Sequence, residues 1–115
     1  MIYRAGSREK EIREGMRGGK GSVAIAPLTG ALPDGTRVFS SLSLGPGDSI
    51  GYHVHEGESE LFYFAKGVAR VIDDGEEAIA EAGDAMLTAS GRGHSLENIG
   101  EGELLVIAVV VLDRQ

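Results

Sequence analysis

At 115 residues, 42% hydrophobic and 25% charged, the chain has room for one folded domain with a single core, and its composition excludes wholesale disorder. Eleven Lys+Arg against eighteen Asp+Glu leave a net charge of −7, which repels phosphate backbones and argues against nucleic acid as a partner. The absence of cysteine excludes disulfide frameworks, thiolate catalysis and Cys-type zinc or iron–sulfur sites, and the longest apolar run, Leu104 to Leu112, is about half a membrane span, so a cytoplasmic protein with no membrane association is expected.

The first 21 residues form an N-terminal arm, and residues 22–115 form the domain proper. In the arm, Ser7 can cap a short helical turn through Arg8 to Glu14, stopped by Gly15; with Ile12 as its one apolar residue, an irregular arm fits equally well. A glycine-rich hinge follows, Gly18-Gly19-Lys20-Gly21. Beyond it the pattern is strands and turns. Eighteen glycines against three prolines suit many tight turns.

Strands are predicted over Ser22–Pro27, Arg37–Leu44, Ser49–His55, Glu60–Ala65, Val68–Ile72, Glu77–Ala80, Ala85–Ala89, His94–Ile99 and Glu103–Leu112. Asp73-Asp74-Gly75-Glu76 is a good hairpin signal between two of them. Segments of this length with glycine turns between them predict an all-β sandwich or small barrel. The last strand is apolar on both faces, which calls for cover on both, from a second sheet or a partner chain.

All three histidines fall into one pattern. His53 and His55 are two apart, so on a strand both imidazoles leave the same face and can converge on one metal ion. After Glu56-Gly57-Glu58-Ser59 comes Glu60, which stands beside the pair on the neighbouring strand if the loop turns the chain back, with Phe62 and Phe64 on the same face. His94 follows the loop Ser90-Gly91-Arg92-Gly93 in a second strand pair. Three imidazoles and one carboxylate make a four-ligand set that leaves two positions of an octahedron for water or substrate.

The segment Gly47-x5-His53-x-His55-x4-Glu60-x6-Gly67 resembles the first signature of the cupins, and Gly83-x5-Ala89-x-Gly91-x2-His94-x3-Asn98 resembles the second. The departure is Ala89, where the family usually has proline, a matter of turn stiffness and not of metal ligation. The resemblance covers Gly47 to Asn98. It implies a cupin-type double-stranded β-helix, a small antiparallel jelly-roll barrel of six to eight strands with the site inside. It also implies that His53, His55, Glu60 and His94 are metal ligands, and that Asn98 and the signature glycines are structural. The arm ending Met16-Arg17-Gly18-Gly19 before one short barrel is similar to stand-alone bacterial cupins of the oxalate-decarboxylase-like kind.

Other candidates carry weaker signals. Glu56 and Glu58, in the loop beside the ligands, are candidate general acid or base residues, although a solvated loop is the simpler account. Arg92 is a candidate clamp for an anionic substrate at the barrel mouth, or part of a flexible turn between Gly91 and Gly93. Phe62 and Phe64 are candidate substrate-contacting residues and, more simply, core. Tyr52 and Tyr63 face away from the ligands by parity, and parity leaves the faces of Arg37 and Arg70 open. Gly19-Lys20-Gly21 lacks the remaining positions of a phosphate loop, and His94 and Ser95 point apart, against a hydrolytic triad.

A three-His, one-Glu set with a divalent ion carries one positive charge and attracts small anions such as carboxylates or enolates. Mn, Fe, Co, Ni and Zn all accept these donors, one ion per chain. The expected function is a metal-dependent enzyme acting on a small oxygen-rich metabolite by decarboxylation, oxygenation or isomerisation. The alternative is a non-catalytic ligand-binding or sensing module acting through a protein partner. By the same resemblance a homodimer is expected, with Leu104 to Leu112 and Val23 to Leu28 as the edges at its contact.

Overall fold

The computed structural model describes residues 1–114. Among them the strands are β1 Glu11–Glu14, β2 Ser22–Pro27, β3 Thr36–Leu44, β4 Ser49–Val54 and β5 Glu58–Lys66, followed by β6 Val68–Asp73, β7 Glu76–Glu81, β8 Ala85–Thr88, β9 Gly93–Asn98 and β10 Leu104–Leu112. They make two antiparallel sheets, one of six strands in the order β1-β2-β3-β10-β5-β8 and one of four in the order β4-β9-β6-β7. From β3 onward the chain passes repeatedly from one sheet to the other, which closes both inner faces around a single core. This is the expected all-β jelly-roll barrel.

Two-residue periodicity explains which side chains fill it. Along β5, Glu60, Phe62 and Phe64 are buried while Leu61 and Tyr63 are exposed; along β10, Leu104, Val106, Ala108 and Val110 are buried and the residues between them are half-covered. The most deeply buried large side chains, Phe64, Leu44 and Leu96, come from both sheets. Between β6 and β7, Asp73 pairs with Glu76, so the turn is Asp74-Gly75 alone, with φ of 49° and 90°. Two positive-φ residues are what a tight hairpin requires.

Three expectations change. The arm has no helix over Arg8–Glu14: Glu11–Glu14 is a strand paired with Ser22–Ile25, and single-turn 3-10 segments lie at Ala5–Ser7 and Met16–Gly18. All four residues of β1 are exposed, so no apolar stripe exists to dock a helix, whereas the open side of β2 offers backbone partners. Neither Val23–Leu28 nor Leu104–Leu112 is an edge, because β2 lies between β1 and β3, and β10 between β3 and β5. Finally, the loop after His55 does not fold Glu60 back beside β4. It carries the chain into the opposite sheet, and the strand paired with β4 is β9. No helix among the described residues is long and apolar enough to cross a membrane.

Candidate metal centre

His53 and His94 are direct cross-strand partners on β4 and β9, and His55 follows just beyond the end of β4. Glu60 enters from β5 on the facing sheet. The β4–β9 register shifts between Ile50 and His53, a local irregularity of the kind that re-aims side chains. The ligand atoms of the four residues lie within 4.8 Å of one another. His55, Glu60 and His94 are buried and His53 is half-buried.

Each imidazole is held from behind. His53 Nδ1 donates to the Gly51 carbonyl at 2.8 Å, His55 Nδ1 donates to Glu58 Oε2 at 3.0 Å, and His94 Nδ1 lies 2.7 Å from the Thr88 hydroxyl oxygen. Phe62 stacks flat on His94, with ring centroids 4.9 Å apart and planes at 12°. With the Nδ1 atoms of His53 and His55 donating to acceptors and that of His94 against a hydroxyl, all three Nε2 atoms face inward, the arrangement that ligating histidines adopt. The contacts there are His55 Nε2 to His94 Nε2 at 3.1 Å and His94 Nε2 to His53 Nε2 at 3.2 Å. Glu60 Oε1 stands 2.9 Å from His55 Nε2 and 3.1 Å from His94 Nε2. Lone pairs facing each other without a proton repel, so the cluster suits a shared cation. Donors bonded at about 2.1–2.2 Å and at right angles stand about 3.0–3.1 Å apart, whereas a tetrahedral set stands about 3.4–3.6 Å apart. Four of the six donor–donor separations match the six-coordinate value, and the residues present fit a divalent ion.

A cavity of about 340 Å³ opens beside the cluster, reaching His53, His55 and Glu60. Three arginines line it: Arg13 on β1, Arg17 in the turn after β1, and Arg37 on β3. Arg37 forks onto Glu58 through Nε and Nη2, both at 2.8 Å, and Glu58 holds His55, which makes a chain from cavity wall to candidate ligand. The hydrogen bonds from Arg37 keep the Glu58 carboxyl below the usual carboxylate range, against burial, which pushes it up. Burial holds His53 below the ordinary histidine range; its hydrogen bond to Gly51 opposes this, and the charges of His94, His55 and Arg17 add to the depression.

A cupin-domain family model matches residues 41–110, more than half the chain. The chain belongs to the cupin family. It is 40% identical to a curated relative from Thermotoga maritima named oxalate-binding protein, over 97% of this chain and 94% of that one. A solved Thermotoga maritima structure described as a predicted oxalate decarboxylase superposes with a TM-score of 0.94 at 39% identity, covering 98% of this cupin and 100% of that chain. KdgF from Halomonas sp. shares the fold with a TM-score of 0.80 at 18% identity, over 100% of this chain and 96% of its own.

The remaining candidates of this cupin are placed differently from the ligands. Glu58 touches His55, but its carboxylate is committed to Arg37, and Glu56 is exposed outside the cavity. Arg92 does not line the cavity: it is exposed and pairs with Asp74 at the β6–β7 turn, because the loop before β9 is directed toward that turn. Phe62 backs His94 and Phe64 is wholly buried, so neither forms part of the cavity wall. Arg13, Arg17 and Thr88 escape sequence reasoning, and strand parity leaves the face of Arg37 open. Thr88 has a signal, inward parity with Met86 on β8; Arg37 has none, because the β3–β10 register slips between Val110 and Val111.

Proposed function

We propose that this cupin holds one divalent metal ion on His53, His55, Glu60 and His94, and binds a small carboxylate anion in the adjoining cavity. The carrying observation is the convergence of three Nε2 atoms and Glu60 Oε1 within 4.8 Å of one another beside an arginine-lined cavity. When bound, the ion supplies Lewis acidity and an anchoring charge for carboxylate oxygens. The chain's own residues do the rest: Gly51, Glu58 and Thr88 fix the imidazoles, and the arginines counter negative charge. The name of the 40%-identical relative makes oxalate the first ligand to test.

Apart from His53, His55 and Glu60, no carboxyl or imidazole side chain among the described residues lines the cavity, and Glu58 is held as a carboxylate by Arg37. That favours binding over turnover, since proton transfer needs a group able to give one up. Turnover is the second reading, supported by the relative described as a predicted oxalate decarboxylase. Elemental analysis with calorimetry separates the outcomes. One metal equivalent per chain and metal-dependent oxalate binding are expected, lost in Glu60→Gln; full oxalate affinity in metal-free protein would overturn the reading. Release of formate and carbon dioxide from oxalate would establish turnover.

We infer that the outer face of the six-stranded sheet pairs with a second copy. Leu87, Leu61, Val109 and Phe39 form one apolar row across β8, β5, β10 and β3, with Tyr63 and Ile107 paired in the next row. Leu61, Tyr63 and Leu87 are exposed. Sheet-on-sheet contact would supply the second cover that β10 lacks. A dimer is expected in sedimentation, becoming monomeric in Tyr63→Glu; a wild-type monomer at micromolar concentration would refute it.

A further inference from the structure

Arg17 occupies a backbone conformation that its side chain does not favour. Its φ of 55° and ψ of 28° are left-handed, and of the described residues only Asp74, in the β6–β7 hairpin turn, shares a positive φ without being glycine. The turn is built tightly. Gly18 N–H donates to the Gly15 carbonyl and Gly19 N–H to the Met16 carbonyl, both at 2.9 Å, and the segment lies against β4 at Gly51. Glycine or asparagine would satisfy this backbone with less strain, so an arginine here points to its side chain as the reason. Arg17, itself exposed, lines the cavity that contains His53, His55 and Glu60, and its charge acts on His53.

The charges around the cavity are unequally matched. Arg13 pairs with Glu11 and Arg37 with Glu58, whereas no carboxylate among the described residues forms a salt bridge with Arg17. On the metal-centred reading above, a divalent ion with Glu60 leaves one positive charge, and Arg17 adds a second in the same cavity. A ligand carrying two negative charges matches both, and a monoanion matches only one of them.

We propose that Arg17 is the specificity-determining residue of the cavity, taking the carboxylate not held at the metal centre and so selecting small dianions over monoanions. The inference rests on the metal-centred reading and adds a residue from outside both histidine segments.

The test uses manganese-loaded full-length protein, with calorimetric titration of oxalate and malonate against formate and acetate. Two variants are compared with wild type, Arg17→Gln, which removes the charge, and Arg17→Gly, which also relieves the left-handed backbone. Both are expected to keep their metal and to lose oxalate affinity by about tenfold to a hundredfold, with formate affinity changed by less than about threefold. Arg17→Gly should melt at or above the wild-type temperature, which a purely structural role for the side chain would not produce. If both variants retain wild-type oxalate affinity, or lose oxalate and formate alike, the inference fails while the site reading survives. If wild-type protein takes up no metal or binds no oxalate once loaded, the site reading itself fails and the inference falls with it.

Discussion

Gly51→Ala tests whether the arm is held by direct backbone contact with β4. A methyl group at Gly51 would lie 2.0 Å from the Arg17 carbonyl oxygen, 2.8 Å from its carbon and 3.1 Å from Gly19 N. Ordinary contact begins at about 3.4 Å, so the two backbones must separate by about 1.4 Å. The obstructing atoms are main chain and cannot swing aside as a flexible side chain would. Gly19 faces the reciprocal constraint, since a methyl there would meet the Ser49 carbonyl oxygen at 2.2 Å. Overpacking of this kind costs about 1–3 kcal/mol, which in a domain of this size lowers the melting temperature by roughly 4–12 °C. The displaced turn also carries Arg17 away from the cavity, so oxalate affinity should fall about tenfold or more. Gly83→Ala is the matched control. Gly83 has φ +96° with nothing within 4 Å, so the substitution costs only backbone strain of about 1 kcal/mol and should leave oxalate affinity unchanged. Scanning calorimetry and titration calorimetry on the three proteins decide it. A Gly51→Ala protein with wild-type melting and wild-type affinity would refute the contact.

Glu58→Gln keeps the shape of the side chain at the start of β5 but removes the charge that links Arg37 to His55, and metal affinity is expected to fall about tenfold to a hundredfold with the fold intact; an unchanged metal titration would remove Glu58 from the site. Asn98→Ala deletes three hydrogen bonds of a buried side chain, two from Nδ2 to the Leu44 and Gly102 carbonyls and one from Gly100 N–H to Oδ1, each at 2.9 Å. A loss of about 2–4 kcal/mol is expected in urea unfolding, and a loss under about 1 kcal/mol would contradict it. The metal-free protein should lose stability on acidification. His53 is held below its ordinary value, so below about pH 6.5 the unfolded chain takes up a proton that the folded chain refuses. Glu58 acts in the same direction, its stabilisation present above about pH 4.3 and lost as pH falls through its lowered folded value. Melting temperatures of wild type and His53→Gln between pH 8 and pH 5 check this, because equal slopes would exclude His53 as a cause.

The four candidate ligands are legible in the sequence because ligation demands scarce residue types at strand spacing. Three histidines and one glutamate stand in register with Gly47, Gly67, Gly83 and Gly91, all of which take positive φ in the structure. At Gly67 the requirement is doubled, since a methyl group would also lie 2.6 Å from the Glu103 carbonyl oxygen. Strand parity is legible too, and it separates buried Phe62 from exposed Tyr63 on β5. The pairing of strands is not legible: a short loop can close a hairpin or pass to the other sheet, and here it passes, so Glu60 faces the histidines from across the barrel.

The arm shows why the cavity wall escapes when the ligands do not. Parity predicts a side chain's direction only where the chain is extended and its pairing regular. Arg37 stands at a register slip, and Arg17 stands in a turn held against Gly51, 34 positions away in sequence. Nothing local distinguishes Gly19 and Gly51 as a contacting pair from other glycines that merely turn the chain. The position of Arg17 at the cavity wall therefore depends on a backbone contact, while candidate metal ligation depends on residue identity. A substitution at Gly51 would leave the motif intact and still displace the arginine beside it.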